Sequence, residues 1–149
     1  MKKLILIALL LVAAFAFSQE RGFGIGLMLG EPTGISLKTW TSPTNAIDAG
    51  LAWSFYKNPA LHMHADYLWH DFDLIKTKER IPVYYGVGGR IRLGNKDNGR
   101  IGVRGVFGIG FLLKQAPIDF FIELAPILDL IPGTTLNMNG GIGARYFFE

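Results

Sequence analysis

The sequence predicts an all-β fold, an eight-stranded antiparallel up-and-down barrel that spans a membrane, on three observations. The chain opens on an export leader; apolar residues then recur with period two in eight separate runs; and clusters of turn-forming residues divide those runs. With 19 glycines in 149 residues and plentiful aromatic and β-branched side chains, the composition disfavours helices. After residue 18 no stretch is continuously apolar for 18 residues, so no membrane-crossing helix is expected there.

The leader reads MKKLILIALLLVAAFAFSQE: Lys2 and Lys3, fourteen apolar residues from Leu4 to Phe17, then a polar stretch. A membrane-spanning helix needs about 20 apolar residues, so this is the pattern of a secretory signal peptide. Small residues from Ala16 to Ser18 suit cleavage, which is expected after Ser18, with Ala16 as the alternative. The expected organisation is a signal peptide at 1–18 and a barrel at 19–149. Cysteine is absent, which excludes a lipidated cysteine and any disulfide framework. Once Lys2 and Lys3 are removed, thirteen Lys and Arg face twelve Asp and Glu, and the basic residues are scattered. A nucleic-acid partner would need a clustered basic patch, so none is expected.

The eight runs follow in order. Gly22 to Gly30 alternates Phe23, Ile25, Leu27 and Leu29 with Gly22, Gly24, Gly26 and Met28; EPTG leads into Gly34 to Thr41, which carries Ser36 and Lys38. After SPTN, Ala46 to Phe55 alternates Ile47, Ala49, Leu51, Trp53 and Phe55 with Asp48, Gly50, Ala52 and Ser54. YKNPA precedes Leu61 to His70, where Leu61, Met63, Ala65, Tyr67 and Trp69 share one face, and His62, His64, Asp66 and His70 the other. The long, charged DFDLIKTKER leads to Ile81 to Gly94 with Arg90 and Arg92. Beyond NKDNG, Arg100 to Leu113 sets Ile101, Val103, Phe107, Ile109 and Phe111 against Gly102, Arg104, Gly108 and Gly110. KQAP introduces Ile118 to Leu128, with Asp119 and Glu123. DLIPGTT is then a turn before Leu136 to Phe148, where Leu136, Met138, Ile142, Ala144, Tyr146 and Phe148 alternate with Asn137, Asn139, Gly141, Gly143 and Arg145.

The polar parity gathers Lys38, Asp48, His62, His64, Asp66, His70, Arg90, Arg92, Arg104, Asp119, Glu123 and Arg145. Facing a narrow lumen, its many small residues would leave room for long cationic side chains. The other parity, aliphatic with aromatics toward the run ends, suits a lipid-facing band with aromatic girdles. An even strand number closes an antiparallel barrel without an exposed edge, and with an export leader this implies a bacterial outer membrane. Inside, Lys38, Arg90, Arg92, Arg104 and Arg145 are expected to pair with Asp48, Asp66, Asp119 and Glu123.

The pattern over nearly the whole of 19–149 resembles the small eight-stranded outer-membrane barrels, similar in plan to the transmembrane domain of OmpA and to OmpX. The ending GIGARYFF, through Gly143, Tyr146 and Phe148, resembles the C-terminal signal read by the barrel-assembly machinery; Glu149 departs from the usual terminal aromatic by one residue. GEPTGISLKTW, HADYLWH and ELAPILDLIP resemble a further family of small outer-membrane barrels of unknown activity. The resemblance implies outer-membrane lipid and the assembly machinery as partners and carries no active site across. The connections are shorter than the long outer loops usual in OmpA-like barrels, which weighs against a receptor or adhesin.

Neither a catalytic residue, nor a cofactor, nor a metal is expected. His62, His64 and Asp66 stand about 6.6 Å apart in succession along one strand, so a metal would need donors from neighbouring strands. The glycine strings GFGIG, GVGG and GIG open no helix and are not phosphate loops. The function expected is structural or interactive, with a charge-filled lumen and no large pore. Three alternatives stay open: a small ion channel, a lipid-modifying acyltransferase or deacylase using Ser36 or Ser54 with His62 or His64, and a soluble periplasmic barrel with an apolar ligand inside.

Overall fold

A computed structural model describes residues 22–31, 33–54, 59–94, 99–113 and 115–148. The leader at 1–18, Phe55 and Glu149 lie outside them. Eight strands follow one another as β1 (Phe23–Glu31), β2 (Thr33–Trp40), β3 (Asn45–Ser54), β4 (Ala60–Asp71), β5 (Val83–Gly94), β6 (Arg100–Leu112), β7 (Ile118–Ile131) and β8 (Thr135–Phe148). Each pairs antiparallel with the next, and β8 pairs with β1, so the sheet closes. Closure leaves no strand edge unpaired.

The period-two pattern sorts side chains as expected. Leu27, Phe107, Ile122 and Leu136 are 66%, 61%, 64% and 76% exposed, while the neighbouring Met28, Val106, Phe121 and Glu123 are buried. The apolar band therefore faces outward and the polar set inward, the reverse of a water-soluble barrel. Trp69 stacks on Tyr85 at 5.8 Å and meets Tyr67 edge-on at 5.0 Å; Tyr146 packs on Phe148 at 5.1 Å. These aromatics sit toward the end of the wall where β8 finishes.

The structure departs from the expected elements at β7. DLIPGTT does not turn at Asp129: β7 runs on to Ile131, with a bulge that takes Leu130 out of the register between Gly102↔Asp129 and Ile101↔Ile131. Pro126, which lacks the N–H a ladder needs, falls where pairing with β6 breaks, between Arg104↔Ile127 and Phe107↔Leu124. The inner parity is also less uniformly polar than expected. Met28, Leu68, Tyr84, Val106 and Phe121 form an apolar layer inside the barrel.

Aromatic side chains gather at the mouth nearest the start of β1. There Trp40, 2% exposed, packs against His70 at 4.4 Å and Phe72 at 6.2 Å, and the Arg80 guanidinium lies 4.9 Å from the Phe72 ring. Phe72 and Arg80 of the β4–β5 connection, the long charged segment of the sequence, thus pack at this end of the barrel.

Candidate functional site

The lumen holds the candidate site, and strand register assembles it. A recurring device carries long side chains across glycines. Arg90 lies opposite Gly102, which lies opposite Asp129, so the guanidinium spans one strand to reach the carboxylate on the next. Arg90 Nε donates to Asp129 Oδ1 at 3.1 Å and Nη2 to Oδ2 at 2.6 Å, a two-point contact of the strong kind. Asn137 Nδ2 also donates to Oδ2 at 2.7 Å, and Arg100, at the rim, approaches it at 3.6 Å. Tyr84 likewise crosses Gly108 to donate its hydroxyl to Glu123 Oε2 at 3.3 Å. A methyl group on Gly108 would strike the Tyr84 ring, so the small residues of the inner parity are what let the long ones lie across the wall.

Deeper in, Arg104 reaches over Gly88 toward Asp66, with Nε 3.0 Å from Oδ1, and places Nη2 3.4 Å from Glu123 Oε1. The Asp66 contact is close but badly aimed: neither Arg104 Nε nor either Asp66 oxygen has a properly directed hydrogen bond. Arg145 lies directly opposite Asp119, donating Nε to Oδ1 at 3.1 Å, and reaches Ser36 Oγ at 3.4 Å; its guanidinium also sits 4.1 Å from the Phe121 ring.

The histidines divide. His70 Nδ1 is 3.0 Å from the Thr44 carbonyl and Nε2 is 2.8 Å from Lys38 Nζ. An ammonium has no lone pair to offer, so Lys38 donates, Nε2 accepts, and Nδ1 carries the proton toward Thr44. Lys38 is further held 4.5 Å from the Trp40 ring and 5.4 Å from that of Tyr84. His62 Nδ1 is 3.4 Å from Arg90 Nη1. His64 lies nearer Asp66, Nε2 to Oδ2 at 3.9 Å.

All twelve residues of the sequence-predicted network stand on the inner parity, with Arg92 and His64 half-buried and the rest buried. Arg104 meets Asp66 and Glu123, and Arg145 meets Asp119, all from the expected set of acids, whereas two other cations find different partners. Lys38 meets His70 rather than a carboxylate, and Arg90 meets Asp129, an acid the sequence reading placed in a turn. Asp129 has the parity of Asp119 and Glu123, and counting by two through Pro126 would have found it. Ser54 donates to Glu31 and Ser36 accepts from Arg145; among the described residues neither serine is hydrogen-bonded to a histidine. Gly143 faces inward against Phe121, and Tyr146 and Phe148 face outward.

A closed eight-stranded antiparallel barrel with an apolar outer wall and ion pairs lining its inner face is the class this geometry defines. The chain is similar in fold to the crystal structure of Neisserial surface protein A, with a TM-score of 0.53 and 15% identity over 85% of this chain and 93% of that one. At that identity the likeness speaks for the fold. No model of a known protein family and no curated protein matches the sequence.

Proposed function

We propose that the protein is an integral β-barrel of the bacterial outer membrane, exported by the leader at 1–18, with a structural or interaction role and no large pore. The observation that carries this reading is the contrast between the two faces of the wall. Large apolar side chains stand exposed outside, while on the inner face Arg90, Arg104 and Arg145 pair along the wall with Asp129, Asp66, Glu123 and Asp119. An eight-stranded barrel leaves an interior just wide enough for side chains to fill, and these fill it. Outer-membrane lipid is the partner of the outer wall. Tyr146 and Phe148, outward on β8, with Gly143, are the residues the assembly machinery would read.

Two measurements test the proposal. After carbonate or urea washing, the protein stays with the outer-membrane fraction; release into the wash refutes the membrane assignment. In planar bilayers the purified protein gives at most small, irregular currents, and a steady conductance on the nanosiemens scale refutes the filled lumen.

A further inference from the structure

Two inward carboxylates face each other in the middle of the wall without a cation to separate them. Asp48 on β3 lies directly opposite Asp66 on β4, and like charges so placed repel. Both residues are buried, 4% and 2% exposed. Among the described residues Asp48 Oδ1 and both oxygens of Asp66 receive no well-directed hydrogen bond from any donor outside the pair, and no cation lies within ion-pair distance of Asp48. Lys38, its cross-strand neighbour, sends its ammonium to His70 instead. Among the described residues the fully buried groups comprise five carboxylates, Asp48, Asp66, Asp119, Glu123 and Asp129, against four cations, Lys38, Arg90, Arg104 and Arg145. The three arginines meet four of these acids and Lys38 turns to His70, which leaves Asp48 over.

A third donor converges on the pair. His64 stands two residues before Asp66 on the same strand, and one donor atom each from Asp48, His64 and Asp66 all lie within 4.8 Å of one another. The wall is shaped to admit them. A side chain at Gly50 would collide with the His64 ring, its Cβ 2.8 Å from Nε2 and 3.0 Å from Nδ1, and one at Gly88 would collide with the Asp66 carboxylate. The limit set by one strand alone, whose successive inward residues stand too far apart to close around an ion, is met here by the neighbouring strand.

We propose that Asp48, His64 and Asp66 bind one divalent first-row cation of the zinc class inside the lumen, linking β3 to β4. One imidazole and two carboxylates form an N,O,O set suited to such an ion, which would keep water in its remaining position. Bond lengths of about 2.0 to 2.2 Å require the donors to close in modestly from the 3.9 Å between His64 Nε2 and Asp66 Oδ2, a side-chain rotation. The ion would engage Oδ2, leaving Oδ1 to Arg104. A single shared proton would join only one oxygen from each acid and would leave the imidazole and the remaining unpartnered oxygen unused.

The test uses the full mature chain, stripped with chelator and refolded in detergent with zinc sulfate added before refolding in one sample and after it in another. Zinc retained through gel filtration is counted by elemental analysis, and affinity is measured by calorimetry. One zinc per folded chain is expected. Asp48→Asn and His64→Gln should each weaken binding at least as much as the roughly 10- to 100-fold that follows loss of a residue merely supporting a ligand. His62→Ala, which removes a histidine outside the triad, should leave binding unchanged. Folding of each variant is checked by heat-modifiable gel migration. Folded wild-type chain that retains no zinc under either protocol overturns the proposal, whatever the variants do. So does zinc retained equally by wild type, Asp48→Asn and His64→Gln, or lost on His62→Ala alone.

Discussion

Asp129→Ala isolates the consequence of the glycine-spanning ion pairs. Asp129 is fully buried and Arg90 is 4% exposed, so the substitution strands a desolvated guanidinium whose other side-chain hydrogen-bond partner among the described residues is His62 Nδ1 at 3.4 Å. Breaking a buried pair from one side costs about 3 to 5 kcal/mol. Because the pair lies near the mouth bearing Arg100, whose side chain is 36% exposed, Arg90 has some freedom to turn toward water, which places the expected loss near the lower end, about 3 kcal/mol. Arg100→Ala, at that exposed rim, should cost only about 0 to 1 kcal/mol. Arg90→Met combined with Asp129→Leu removes both charges and should recover most of the loss, since apolar replacement of a buried pair is often neutral. Urea unfolding in lipid vesicles, followed by tryptophan fluorescence with gel migration as the foldedness check, measures all four proteins. The reasoning fails if Asp129→Ala unfolds within about 1 kcal/mol of wild type, or if the double variant is no more stable than the single.

Three further outcomes follow from the same geometry. Gly102→Val places a Cβ 2.6 Å from Asp129 Oδ1 and 2.7 Å from the Leu128 carbonyl oxygen, and should cost at least the roughly 1 to 3 kcal/mol of overpacking; Gly105→Ala, whose nearest neighbour is 3.6 Å away, should be tolerated in the same assay. Phe107→Arg turns a charge onto the outer wall and should cost about 2 to 4 kcal/mol in vesicles if that wall meets lipid, so an unchanged unfolding midpoint would count against the membrane assignment. Tyr84→Phe deletes the hydroxyl 3.3 Å from Glu123 and should cost about 1 kcal/mol, since Glu123 keeps its contact with Arg104; a loss several times larger would mean that Tyr84 supports more of the network than this one bond.

The sequence by itself determined the eight strands in outline and the face each alternate side chain takes, because side chains along a strand point to opposite sides with period two and the apolar and charged residues separate cleanly between the two parities. His62, His64, Asp66 and His70 could be placed inside from LHMHADYLWH alone. Where local signals competed, the reading fell short: Pro132 and Gly133 suggested a turn and drew Asp129 into it, although Asp119 and Glu123 had already fixed that parity. What only the tertiary structure decided was who meets whom. Parity is local, whereas the register between strands depends on turn geometry, on the bulge opposite Ile101 and Gly102, and on the closure of β8 onto β1. That register sets Asp48 against Asp66, sends Arg90 over Gly102 to Asp129, and gives Lys38 to His70 rather than to an acid. It also gathers Met28, Leu68, Tyr84, Val106 and Phe121 from five strands into one apolar layer, a neighbourhood no alternation along a single strand could announce.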